Sequence, residues 1–452
     1  MFLMISDCQM KSLHKKLFLF IFSFVLYIAI SSVTPPFMSP DEPHHFSRAY
    51  LLTNGVITLN NNDGFKSGGY IDKSLNDSFE IFNNGHVGKI SNSMMLGIDM
   101  KNWGDNKVYK EIPNTAFYFP AVYIPQSIGI MFGKAFNLSI LDTYKISRFL
   151  AFITCISIII YANSIYRIPA LALCVMVMPM MLFQFIATTI DGITTSLSVL
   201  MMCLLARGAM KKEIGDTCLI FISFIAFILV SSRANLIPVL ILPFIAAYYS
   251  QSKIRLLPPF FAAVLSLGWI GLTISITVDG GVNHPGISQG EVIAYYLKHP
   301  FEILSIIYNT ISDYGRSSFY FKSFVGKLGW LDIWMPTYLY IVSFVVIVAL
   351  ISLSISYSEI KIHIFFSLSV AIVSLGSAAL IFCALLVQYS KFPTDVIIGI
   401  QGRYFVIPVI ISAFLLMSQN KKKQMIAYII TVIMLIVSLN AMIPSIITRY
   451  YM

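Results

Sequence analysis

Long apolar runs joined by short basic links make up most of this chain. They fall at 17–33, 146–166, 168–187, 192–210, 217–232, 236–250, 256–277, 334–356, 362–388, 404–419 and 424–443. Each approaches the ~20 residues a helix needs to cross a bilayer, several on the short side, so the pattern predicts about eleven membrane spans. A polar stretch at 34–145 separates the first two. Its Asn-, Gly-, Ser- and Asp-rich tracts (NNNDGFKSGGY, NDSFEIFNNGH) predict turns and small irregular structure rather than a large folded domain. Further polar stretches cover 278–333 and 389–403. The segment 117–132 (FYFPAVYIPQSIGIMF) is apolar enough to span but holds Pro120 and Pro125, and counting it would invert every later element. It reads as an interfacial or re-entrant helix on the outer face.

Composition agrees. Of 452 residues 57% are hydrophobic and 12% charged, with a mean hydropathy of +0.78. That is the composition of a polytopic membrane protein, here a single integral membrane domain over 1–452. The net charge of +10 does not imply nucleic acid, because the basic residues sit beside the spans. Lys11, His14, Lys15 and Lys16 precede the first span and no small-residue cleavage site follows it, which predicts an uncleaved signal anchor with a cytoplasmic N-terminus. Alternation then puts Arg167, the Arg207/Lys211/Lys212 and Lys253/Arg255 groups, Lys361 and Lys421 to Lys423 inside, and the C-terminus outside. The expected location is a bacterial cytoplasmic (inner) membrane. The six cysteines lie in the N-terminal tail or in or beside apolar runs, so neither a disulfide framework nor a thiolate zinc site is implied.

On that topology the polar mass faces outward, and so do the residues able to carry chemistry. TPPFMSPDEPHHFSRAY, at 34–50, crowds Asp41, Glu42, His44 and His45 together just after the first span. Ser39, Pro40 and Glu42 also fit a capping box with Ser39 as N-cap. Asp41 and His45, one turn apart, could equally hold a divalent metal. Asp191 borders two apolar runs in QFIATTIDGITTSL, where an acid is either functional or an N-cap for the following span. Arg233, Arg403 and Lys322 (with Lys327) lie on the same side, suited to bind a lipid-linked phosphate or to snorkel to headgroups. His284 and His299 are isolated and read as structural.

The motif PPxxxPDExxHxxRA after the first span, with YFPAVYIPQSIG, FQFIATTIDGITTSL, GKLGWLDIWMPTYLY and QGRYFVIP following in order, resembles a bacterial membrane family of unknown function. Its members look like GT-C-type glycosyltransferases. The resemblance implies an all-α polytopic fold with a long first extracytoplasmic loop containing interfacial helices. It implies a polyprenyl-phosphate sugar donor, a glycan acceptor such as lipopolysaccharide O-antigen or a wall polymer, and companion proteins that make and flip the donor. Asp41, with Glu42 beside it, matches the first catalytic acid and Asp191 the second. Asp41 would be the base of an inverting transfer, and His44, His45, Arg233, Lys322, Arg403 and Tyr404 would bind substrate. Because Arg449 is almost the last residue of the sequence, the extracytoplasmic C-terminal domain of many GT-C enzymes is not expected here. A polysaccharide polymerase or ligase would use similar residues. A lipid-linked glycan flippase would instead require polar residues at mid-depth and internal pseudo-symmetry, neither of which is evident.

Overall fold

The structure is a computed structural model describing residues 2–60, 64–82, 88–277, 287, 289–415 and 420–452. A long first helix, α1 (Phe2–Val33), leads through a turn into α2 (Glu42–Thr53). The stretch that follows is more ordered than its composition predicts. Strands β1 (Gly68–Asp72) and β2 (Lys107–Glu111) pair antiparallel, Tyr70 opposite Tyr109, and between them lie α3 (Lys73–Ile81) and α4 (Asn92–Asp99). Asp72 caps α3 by accepting from the Ser74 amide at 2.7 Å, and Ser91 caps α4 through Met94. Leu59, Ile71, Leu75, Phe79, Phe82 and Ile98 are buried in the same core as the apolar helices. The loop is therefore a small α/β unit fused to the bundle, because sparse apolar residues inside the polar tracts find a common core.

The 117–132 segment forms a 3-10 turn at Pro120–Tyr123 and then α5 (Ile124–Ala135). Twelve residues rise only about 18 Å, too short to span. Ile124, Ile128, Met131 and Phe132 form an exposed apolar stripe, while the other face packs on α6 (Ile140–Ile165). Gly129 makes that approach close: a Cβ there would lie 2.5 Å from the Ser147 Cα.

The predicted span 168–187 is two seven-residue helices, α7 (Ala170–Met176) and α8 (Pro179–Phe185), broken where Pro179 cannot continue the amide ladder. Next come α9 (Asp191–Lys211), α10 (Asp216–Ser232), a 3-10 turn (Ala234–Leu240) with α11 (Ile241–Tyr248), and α12 (Leu257–Ile276). Among the described residues of the second loop, α13 (Gln289–Lys298), α14 (Pro300–Ser312) and α15 (Tyr314–Gly326) precede a hairpin of β3 (Lys327–Leu328) and β4 (Ile333–Trp334). The chain closes with α16 (Thr337–Ser354), α17 (Tyr357–Ile362), α18 (Ile364–Gln388), α19 (Val406–Ala413) and α20 (Lys421–Tyr450).

Seven described helices, α1, α6, α9, α12, α16, α18 and α20, are long and apolar enough to cross a membrane. They match seven of the eleven predicted spans. The other four, at 168–187, 217–232, 236–250 and 404–419, are shorter or proline-broken helices, and residues 416–419 lie outside the described set. Helix α9 sits at the centre. It is polar for a buried helix, yet Thr194, Ser196 and Ser198 each return their hydroxyl to the carbonyl four residues back, at 2.8–2.9 Å. Those bonds satisfy the hydroxyls inside the apolar body.

Candidate functional site

The capping box predicted at Ser39 does not form as a helix start. The N-cap of α2 is Asp41, in the left-handed region at φ 61°, and its carbonyl accepts from the amides of His44 and His45. Aspartate tolerates this conformation better than most residues, though not without cost. One half of the box survives: Glu42 Oε2 accepts from the Ser39 amide at 3.0 Å. Glu42 Oε1 accepts from Tyr144 Oη (2.9 Å) on α6 and from both the amide (2.8 Å) and hydroxyl (3.1 Å) of Thr188. Four donors thus fix a fully buried carboxylate that ties α2 to α6 and to the turn before α9.

That turn is pinned from further sides. Gln126 donates to the Thr189 carbonyl (3.1 Å), Thr189 donates to Gln184 (2.8 Å), and Arg148 donates to the carbonyls of Ile186 and Thr34. Asp191 follows as the first residue of α9, not as its N-cap, which is Ile190. Its carboxylate is thereby free to pair elsewhere, close to the positive end of the helix dipole.

The pairing forms a ladder of alternating charge. Arg233, just past α10, ion-pairs with Asp191 Oδ1. Arg403 reaches Asp191 Oδ2 at 3.6 Å and Asp41 Oδ2 at 3.0 Å. Arg403 sits in a 3-10 turn (Gly402–Phe405) pressed against α15, where the Gly402 amide donates to Ser323 Oγ at 2.8 Å. A Cβ on Gly402 would collide with the backbone of Tyr320 and Phe324. Asn114 donates to Asp41 Oδ1 at 3.4 Å, and His45 Nδ1 lies 2.7 Å from Tyr123 Oη with its ring stacked on Tyr118.

Exposure separates the members. The Asp41 side chain is 36% accessible, against 6% for Arg403, 11% for Asp191 and 14% for Arg233. Burial pushes the Asp41 carboxyl up, but Arg403, His45 and His44 together outweigh it, and its pKa lies below the ordinary value. Burial dominates at His45, holding it neutral with a pKa of about 3 despite Asp41. It also lowers His44, where Asp41 opposes and Lys110 assists. The Nε of Arg403, the Nε of Arg233 and Nδ1 of His44 are buried with no hydrogen-bond partner among the described residues. Such atoms are costly unless a ligand or water completes them.

Residues 24–413 match a family described as "Predicted membrane protein (DUF2142)". The chain belongs to this family. No curated protein and no solved structure matches it.

In this DUF2142 chain the structure brings Asp41, His44, His45, Asp191, Arg233, Arg403 and Tyr404 into one neighbourhood, with the Tyr404 ring 5.5 Å from the Arg403 guanidinium. Lys322 stands apart, its Nζ 5.8 Å from the Trp334 ring and 6.0 Å from that of Tyr340. Glu42 is at the site but engaged in tethering. A divalent metal on Asp41 and His45 does not fit the donor set: Arg403 already neutralises Asp41, His45 Nδ1 faces a tyrosine hydroxyl, and no cluster of three His, Cys, Asp or Glu forms among the described residues. His284 lies outside the described residues, and His299 Nδ1 lies 2.9 Å from the Tyr295 carbonyl oxygen. Tyr118, Tyr123, Asn114 and Thr188 were not singled out by the sequence. Tyr118, Tyr123 and Thr188 fall inside the quoted motif segments, but nothing in spacing marks them.

Proposed function

We propose that the protein is a membrane glycosyltransferase that moves a sugar from a polyprenyl-phosphate donor to a cell-surface glycan on the outer face of the cytoplasmic membrane. The observation that carries this reading is the ladder Asp41, Arg403, Asp191, Arg233, in which only the first carboxylate is substantially open to solvent. A sugar phosphodiester is already activated, so transfer needs a base for the acceptor hydroxyl and cations for the departing phosphate. Asp41 is ionised at neutral pH and placed to take the proton. As the acceptor oxygen bonds to the anomeric carbon, the bond from that carbon to the phosphate oxygen breaks with inversion. The lipid phosphate leaves carrying one more negative charge. The unpartnered Nε groups of Arg403 and Arg233 would receive it. A phosphate that draws Arg403 away also raises the basicity of Asp41, so substrate binding arms the base. The GT-C resemblance of the motifs supports the same assignment.

The test is to complement a deletion strain with wild-type or Asp41→Asn protein and determine the sugar composition and chain length of its surface glycans. Loss of one side-branch sugar at normal chain length, restored by wild type and not by Asp41→Asn, is the expected result. Collapse of chain length would instead indicate a polymerase, and restoration by Asp41→Asn would remove Asp41 as base.

A further inference from the structure

Helix α9 begins at the ladder with Asp191 and ends at Lys211, roughly 30 Å away at about 1.5 Å per residue, which is the thickness of a bilayer core. At that far end the side chains build a second polar feature. Arg167, just after α6, lies with its guanidinium carbon 4.0 Å from the centre of the Tyr428 ring, and its Nη1 donates to Gln424 Oε1 at 3.3 Å. Tyr428 Oη donates to the Ile168 carbonyl at 2.7 Å, which fixes the ring beneath the guanidinium. Lys421 stands at the first turn of α20. Arg167, Lys421 and Tyr428 then share a groove of about 360 Å³ with Met425, Ile429, Val432 and Ile433, the four apolar ones all more than half exposed along one face of α20.

The chemistry along this groove is graded. Two cations stand at its mouth, and an apolar track runs from them towards mid-bilayer. No carboxylate lines it among the described residues, whereas the neighbouring cavity of about 460 Å³ on the other side of Arg167 and Tyr428 contains Glu359, which repels anions. Lysines in the first turn of α20 are unfavourable for the helix dipole, which prefers negative charge at that end. Their placement gains from an anion close by. We propose that this groove seats an anionic phospholipid of the leaflet at that end of the bundle. Its phosphate would lie on Arg167 and Lys421, and one acyl chain along Met425, Ile429 and Val432. Arginine held flat on a ring presents its edge donors in the fork geometry that matches phosphate oxygens.

The test is native mass spectrometry of the full chain in detergent, titrated with phosphatidylglycerol or phosphatidylcholine of identical acyl chains. The wild type is expected to retain phosphatidylglycerol at least fivefold better. Arg167→Gln with Lys421→Gln should abolish that preference, and exposed Lys421→Gln alone should weaken it if the double variant does not fold. Lys422→Gln with Lys423→Gln removes the same charge just outside the groove and should leave the preference intact. Equal loss in this control would mean diffuse attraction and overturn the site. Displacement of the lipid by millimolar inorganic phosphate would overturn the role of the apolar track. No preference for phosphatidylglycerol would leave annular lipid alone and sink the proposal.

Discussion

Thr188 donates both its amide and its hydroxyl to a single oxygen of Glu42, across 146 positions of sequence. The bond joins the two segments that carry the acids of the ladder, so Glu42 acts as the tether that sets Asp41 against Asp191. Replacing it by glutamine puts an amide where four donors converge, and one of them loses its acceptor. Glu42→Gln is expected to cost about 1–3 kcal/mol, seen as a lower apparent melting temperature in detergent and reduced membrane levels. An unchanged melting temperature would contradict the tether.

Asp41→Asn and Asp41→Ala should part company. Asparagine tolerates the left-handed backbone at φ 61° and alanine does not, so the first variant should accumulate normally while the second loses roughly 1 kcal/mol or more. Both should lower glycosyl transfer on the order of 10²–10⁴-fold in a reconstituted assay with lipid-linked sugar. Normal levels with retained activity in Asp41→Asn would remove the base assignment.

The inner rungs predict an order of severity. Arg233→Gln leaves Asp191 paired with Arg403, whereas Asp191→Asn leaves buried Arg233 facing no carboxylate among the described residues. Asp191→Asn should therefore be the more destabilising, on the order of 3–5 kcal/mol, with the double variant better than the sum of the singles by about 1–3 kcal/mol. Thermal unfolding of the four proteins would show additivity instead if the ladder did not couple them.

Gly402→Ala changes no charge yet drives a methyl group into the α15 backbone. Arg403 would shift with its turn. A cost of about 1–3 kcal/mol is expected, and the lost positioning should lower transfer about 10²-fold. Activity equal to wild type would show that the close approach is not needed.

Acid should weaken the fold through His45. Its pKa in the folded protein is about 3 against 6.5 when unfolded, so above pH 6.5 it costs nothing. As pH falls from 6.5 towards 3 the unfolded chain takes up a proton that the folded one refuses, and stability drops. Asp41, also depressed, loses its contribution only below about pH 4. His45→Gln should flatten the loss between pH 6.5 and 4 in detergent melts; an identical acid limb would refute this.

Much of the site could be read from the chain because acids and arginines at the ends of apolar runs are few. Asp41, Asp191, Arg233 and Arg403 stand out by type and by position alone. What escaped was of three kinds. Hydrogen-bonding partners such as Thr188, Tyr123 and Gln126 belong to residue types that occur throughout an apolar chain, and only the folded register selects them. Broken helices escaped because Pro179 and Pro238 interrupt the backbone ladder without lowering hydropathy, so one span of twenty residues and two short helices look alike. The α/β unit at 68–111 was hidden by turn-rich composition around a handful of apolar anchors.

The distance in sequence between Asp41 and Arg403 has a consequence for biogenesis. They are 362 positions apart, so at ~5–20 residues per second Arg403 is made roughly 18–72 s after Asp41. Throughout that interval the N-terminal acid waits beside the bilayer without its cation, and Asp191 later joins it. The last rung arrives only after Asp191 and Arg233 have both been made. Closure of the ladder is thus a checkpoint on synthesis as far as Arg403, and under the proposed transferase reading a chain halted before Arg403 would be inert whatever else it had folded.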